Sequence, residues 1–307
     1  MEPVPRSGLE RSLARGFAVT LELVPPRSAD PEGFLARARE VRGLADAYNV
    51  TDSPRAQVRM GGLAAATLLL QEGLEPVLQV TARDRNRIAL QADLLGAHAL
   101  GVRNIVALRG DPPAAGGEPN AVAVNDWTTE EFLAAAHRLR TEGRLAGGRA
   151  IESLPRWFLG ATASPGVGSS VEASIANLHR KVDAGADFVQ TQPVFDTDAF
   201  ADWMAAVRKD FLHDKVHVLA GLTPLTTAKA GRAFAKVPGT AVPEGLIARL
   251  AKAADPLAEG VRVARETLDA IRGIEGVRGV HMMPYEGDEA ARRVLGDAGL
   301  SPRPREV

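Results

Sequence analysis

"NIVALRGDPP", residues 104–113, reads as a short strand that stops abruptly. Asn104–Leu108 is an almost wholly apolar run; Arg109, Gly110 and Asp111 follow, and Pro112 and Pro113 end regular structure. A strand this apolar is covered on both faces, as in a parallel sheet flanked by helices. Polar residues at the C-terminal end of such a strand mark the face on which parallel barrels bind their ligands.

The same kind of run recurs along the chain, at 17–23, 47–51, 76–81, 157–161, 188–191, 216–221 and 277–282. Amphipathic stretches lie between them, at 32–44, 56–71, 85–99, 129–141, 171–184 and 198–209. Strands alternating with helices predict a parallel α/β sheet, and eight of them in 307 residues predict a closed (β/α)8 TIM barrel. Residues 227–274 are longer than one helix needs, so the segment between strands seven and eight is expected to hold extra helices, two or three in all. An open doubly wound sheet would want a glycine-rich turn after the first strand, and "ELVPPRSAD" (22–30) is not one. No linker divides the chain, so residues 1–307 are expected to form a single catalytic barrel domain, with 1–14 and 300–307 as loose tails.

Composition narrows the function. Lys plus Arg number 37 and Asp plus Glu 38, a balance unlike that of a general nucleic-acid or acidic-membrane binder. There is no cysteine, which removes disulfides, thiolate metal sites and cysteine nucleophiles, and fits a cytoplasmic protein. No P-loop or G-x-G-x-x-G occurs and no H-x-x-x-H pair reads as lying on a helix, so no metal site is expected. "GVGSS" (166–170) lacks lysine and reads as a flexible loop. The oligomeric state is left open, a homo-oligomer included.

Most strands end in polar residues: Glu22; Thr51 and Asp52; Gln79 and Thr81; Arg109 and Asp111; Thr162 and Ser164; Gln190 and Gln192; Thr223. Any single Ser, Thr or Asp could be a helix cap, but glutamine and in-strand glutamate are poor caps. Strand alternation places Thr20 and Glu22 on one face, opposite Val19, Leu21 and Leu23. By the same parity an acid, the Arg109–Asp111 pair and a glutamine converge on one axial pocket. A plain Arg109–Asp111 salt bridge is the competing reading; Gly110 favours close approach of a ligand. Arg180 and Lys181 near a helix end either complement its dipole or bind phosphate. Phe234 and Trp203 read as core.

Taken together these stretches resemble the methylenetetrahydrofolate reductase family. The resemblance runs through "LELVPPR", "NVTDSPRAQVRMG", "VTARDRN", "GVRNIVALRGDPP", "LHRKVDAGADFVQTQPVFD" and "AGLTP". "RDRN" is similar to a subgroup found in some bacteria and acetogens. The resemblance implies a barrel with FAD across its C-terminal face. The reaction it implies converts 5,10-methylenetetrahydrofolate to 5-methyltetrahydrofolate, by a ping-pong scheme in which NAD(P)H first reduces the flavin. Glu22 matches the family's general acid, Asp111 the aspartate that holds the pterin, and Gln192 the glutamine at the pterin's amide edge. Phe234 matches an aromatic that packs on the folate or nicotinamide. Contacts to FAD are implied for Thr51, Gln79, Thr81, Arg109, Gly110, Asp111, Ser164, Asn177, Arg180 and Lys181. Departures are Gln79 and Ser164 in place of histidines, Asp52 in place of a tyrosine, and "HMMPYEG" without the family's arginine. They leave open delivery of electrons by a partner protein; a non-catalytic scaffold is opposed by the presence of Glu22, Asp111 and Gln192 together. The regulatory domain of eukaryotic relatives is missing, so inhibition by adenosylmethionine is not expected.

Overall fold

A computed structural model describes residues 5–165, 168–236, 240–285 and 287–303. Residues 166–167, within the stretch read as a flexible loop, lie outside the described residues. Eight parallel strands close into a barrel in sequence order, β1 pairing with both β2 and β8. They are β1 (Ala18–Leu23), β2 (Ala47–Val50), β3 (Pro76–Thr81), β4 (Asn104–Leu108), β5 (Phe158–Ala163), β6 (Phe188–Pro193), β7 (His217–Leu222) and β8 (Val277–Met282). Helix α1 (Gly8–Arg15) precedes the barrel, and α2 (Glu32–Glu40), α3 (Gly62–Gln71), α4 (Arg87–Ala99), α5 (Thr129–Glu142), α6 (Val171–Asp183) and α7 (Thr197–Lys209) alternate with its strands. The long segment before β8 carries α8 (Ala228–Phe234), α9 (Glu244–Lys252) and α10 (Pro256–Gly273), and α11 (Glu289–Asp297) follows β8.

The strand period of two sorts the core into separate layers. Val19, Leu21 and Leu23 join the large cluster between strands and helices. The other parity points inward: Ala18, Ala47, Val77, Val106, Phe158, Phe188 and Leu219 fill the lower barrel. Phe158 and Phe188 stack there with centroids 4.9 Å apart. Gly160 makes room for them, since a Cβ at that position would lie 2.4 Å from the Phe188 ring.

The N-terminal segment departs from its expected looseness. Ser7 caps α1 by accepting from the Glu10 N–H, and Leu9 and Leu13, one turn apart, pack fully buried against the lower barrel residues. Each leucine contributes roughly 2 kcal/mol by leaving water, so α1 is a plug for the barrel floor. The "S-x-x-E" at residues 7–10 is a helix-start signature that was legible in the sequence. The other end is also anchored as far as it is described: Leu300 is buried, and Arg303 pairs with Asp46 at 2.7 Å and donates to the Phe17 carbonyl.

Candidate active site

Above the apolar floor the barrel interior turns polar. Thr20, Asn49, Gln190 and His281 are all buried, one each from β1, β2, β6 and β8. Asn49 donates to Gln190 Oε1 at 2.7 Å, and Gln190 Nε2 donates back to Asn49 Oδ1 and on to Thr20 Oγ1, each at 3.0 Å. Thr20 Oγ1 then lies 2.9 Å from His281 Nδ1. Buried polar groups need such partners, and here every partner comes from a different strand.

Glu22 follows Thr20 on the same face of β1, with a quarter of its side chain open to solvent at 25%. Burial pushes its carboxyl up to about 7, against the nearby Arg37 cation, which pulls it down in part. Arg37 is held by Asp288 through bonds of 2.6 and 2.8 Å and reaches the Glu22 carbonyl at 3.4 Å. His281 Nε2 stands 4.0 Å from Glu22 Oε2, and burial lowers the imidazole to about 3, so the ring is neutral.

The loops after β2, β3 and β4 form a second polar region. Asp52 accepts from the Thr81 N–H and hydroxyl at 2.9 and 3.1 Å and pairs with Arg85 at 2.6 Å. Arg83 is buried; it pairs with Asp84 and reaches the carbonyls of Ser53 and Asp111 at 3.4 and 3.2 Å. Asp111 Oδ2 accepts the Arg55 backbone N–H at 2.7 Å. Ser53, Arg55 and Ala56 all have left-handed backbone, with φ of 46°, 56° and 50°. Non-glycine residues rarely adopt it without support from their surroundings, and Arg83 and Asp111 supply that support.

Several sequence expectations change here. Val106 lies on the inner face of β4 while Ile105 and Ala107 pack outward, so parity does not carry Arg109 into the lumen. Arg109 is exposed at the strand end, and among the described residues no ion pair joins it to Asp111. Gly110 has φ of 86°, and a Cβ there would press on Arg83 and Thr81 at 3.0 and 3.1 Å, so its freedom serves the turn. Thr81 is engaged by Asp52. Glu22, Asp111 and Gln192 are not joined to one another by any hydrogen bond or ion pair among the described residues.

Gln192 sits in a register irregularity of β6 between Gln190 and Pro193. Thr191 stabilises it by accepting from the Gly221 N–H and donating to the Gln192 carbonyl. Thr51 and Thr223 are buried at the ends of their strands with hydroxyls that lack partners. Gln79 and Ser164 are half-buried. On α6, Asn177 donates to Glu130 at 3.2 Å, Arg180 is exposed 3.8 Å from the same carboxylate, and Lys181 is buried with Nζ on the Thr162 carbonyl at 2.7 Å. Burial lowers the Lys181 ammonium. Phe234 packs edge-on to Phe195 and Tyr285, with centroids at 6.0 and 5.3 Å. His281, Asn49, Arg83 and Arg85 were not singled out as site residues. A polar residue in the middle of a buried strand was the available signal for Asn49 and His281.

Fold and site together define an α/β-barrel protein with a titratable acid and an amide-lined interior at the C-terminal ends of its strands. Among the described residues no cluster of three or more His, Asp or Glu is arranged to hold a metal ion, and no helix is long and apolar enough to cross a membrane. The family profile "Methylenetetrahydrofolate reductase" matches residues 9–299, and the chain belongs to that family. It is 25% identical over 319 residues to the 5,10-methylenetetrahydrofolate reductase of Escherichia coli, covering 97% of each chain. Methylenetetrahydrofolate reductase 1 of Schizosaccharomyces pombe is 27% identical over 244 residues, which cover 74% of this chain but only 36% of the yeast protein. A Clostridium thermocellum protein described as binding two copies of 5-methyl-5,6,7,8-tetrahydrofolic acid superposes with a TM-score of 0.64 at 14% identity, over 94% of this chain and 98% of that one. That likeness shows the fold alone.

Proposed function

We propose that this chain catalyses flavin-dependent reduction of 5,10-methylenetetrahydrofolate to 5-methyltetrahydrofolate, with NAD(P)H as the electron source. The observation that carries the reading is Glu22, a carboxyl raised to about 7 by burial at the mouth of a barrel of this family. At neutral pH such a group holds a proton and can release it, as a general acid must.

The residues present fit FAD. Thr51 offers an unpartnered buried hydroxyl, Arg109 and Arg180 offer exposed cations, and Lys181 keeps N–H donors beyond its bond to Thr162. These groups would hold the pyrophosphate and ribose, with Gln79, Ser164 and Asn177 as further polar contacts. The bound flavin supplies hydride transfer between the nicotinamide and the folate.

The rest of the chemistry belongs to the protein. The methylene bridge of the substrate opens to an iminium only when the departing amine gains a proton, and Glu22 provides it. Asp111 accepts from the pterin's amine and amide donors, which requires it to exchange the Arg55 N–H for substrate. Gln192, at the register irregularity of β6, meets the pterin amide edge. Phe234 gives the folate aryl ring an aromatic surface. An anaerobic experiment tests the reading: protein loaded with FAD is reduced by NADH or NADPH and then mixed with methylenetetrahydrofolate. Bleaching and return of the flavin band, with one 5-methyltetrahydrofolate per flavin, is the expected result. Absence of bound flavin at micromolar protein, or a reduced flavin indifferent to the folate, overturns it.

A further inference from the structure

The hydrogen-bond chain inside the barrel has a direction. Both amide protons of Gln190 Nε2 are spent, one on Asn49 Oδ1 and one on Thr20 Oγ1. Thr20 therefore receives a proton on its oxygen and has its single O–H left to give. The remaining neighbour of that hydroxyl is His281 Nδ1, at 2.9 Å. The ring accepts at Nδ1, so its own proton is on Nε2, the nitrogen that faces Glu22 across 4.0 Å.

We propose that His281 is the positioning residue of Glu22: its Nε2–H, fixed in place by Asn49, Gln190 and Thr20, receives the Glu22 carboxylate once that carboxyl has given its proton away. The separation of 4.0 Å is too long for a hydrogen bond; closing it takes about 1 Å, within reach of the broad terminal torsion of a glutamate. A protonated carboxyl gains little from such a donor, whereas a carboxylate gains a charge-assisted bond. The interaction grows as proton transfer proceeds, and so favours the transition state over the ground state. Among the described residues Arg37 is the charged group facing Glu22, from α2, and its tie to Asp288 holds it beside the Glu22 backbone carbonyl.

The inference rests on Glu22 acting as the acid in the proposed reaction, and one experiment separates the two. Ligand-free protein labelled with 13C at glutamate and 15N at histidine is titrated by NMR, with Glu22→Gln identifying the Glu22 resonance. His281 is expected as the Nε2–H tautomer, neutral through the titration of Glu22. His281→Phe is expected to move the Glu22 midpoint upward by about one pH unit, the equivalent of a tenfold change. Thr20→Val, which leaves the ring in place but removes the hydroxyl that fixes its tautomer, is expected to move it the same way. His281→Gln, which keeps an N–H donor, returns it toward the original value. In stopped flow, His281→Phe slows the folate step about tenfold and leaves flavin reduction unchanged. An Nδ1–H tautomer, or a Glu22 midpoint indifferent to both His281→Phe and Thr20→Val, overturns the inference while leaving the proposed reaction standing. A wild-type protein inert toward methylenetetrahydrofolate sinks the proposed reaction, while the NMR midpoints still judge the coupling.

Discussion

Glu22 and Asp111 are carboxylates at the ends of β1 and β4, three strands apart around one barrel, yet their surroundings are built on opposite principles. Glu22 rises from a buried amide–hydroxyl–imidazole network, with neutral groups beneath it and the Arg37 cation nearby. Asp111 belongs to a region of opposed charges. There the Asp52–Arg85 latch ties the loops after β2 and β3, Arg83 reaches the Ser53 and Asp111 carbonyls, and a strained backbone donates directly to the Asp111 carboxylate. Neutral burial makes a carboxyl want its proton, which suits an acid. A backbone donor and surrounding charge pairs suit an acceptor that holds a ligand. One barrel mouth can thus keep two carboxyls in different roles because different strands supply their neighbours.

The contrast breaks first at Glu22. Replacing it with glutamine preserves shape and removes the proton. The folate half-reaction is expected to slow by roughly 10²–10⁴ while flavin reduction changes little. Equal losses in both half-reactions would make Glu22 a structural residue and erase the distinction between the regions.

Asp52→Ala tests the latch. It strips a buried carboxylate from Arg85 and orphans the Thr81 N–H and hydroxyl, at an expected cost of about 3 kcal/mol in stability. Thermal unfolding measures it, and a loss below about 1 kcal/mol, the usual worth of a surface pair, would show that the latch carries little.

Asp111→Asn keeps size and removes charge. Folate binding is expected to weaken on the order of tenfold, the loss of one charge-assisted hydrogen bond. The flavin potential should rise as the negative charge leaves. Titration of folate and of potential on the same variant check both, and unchanged values would confine Asp111 to bracing the loop at Arg55.

A pH series on the Glu22→Gln variant sharpens the account of Glu22 itself. Its folded value of about 7 lies above the ordinary 4.5, so the folded state holds the extra proton between those limits. Stability from this group is full below about 4.5 and is lost as pH rises through about 7. Glu22→Gln should therefore match the wild type in Tm near pH 4 and exceed it at pH 8. A difference in Tm that is independent of pH would mean that Glu22 titrates normally.

Much of this molecule was legible in one dimension. The strand runs and their apolar character define a barrel, because strand periodicity and helix amphipathicity are local. The motif at 104–113 marks the C-terminal end of β4, and the resemblance points to Glu22, Asp111 and Gln192 as residues to test. Even the N-terminal plug had a local signal in the capping residues Ser7 and Glu10, which the polar look of the segment obscured. Alternation held along β4, but Val106 rather than Ile105 and Ala107 faces the lumen, so the parity shared by Arg109 points outward; the closed sheet, not the strand's own sequence, sets which face is inner. Tertiary structure alone decided who partners whom inside the barrel. Thr20 meets His281 across 261 residues and Asn49 meets Gln190 across 141. Such contacts are fixed by strand order and register around the closed sheet, and no property of either residue's own neighbourhood encodes them.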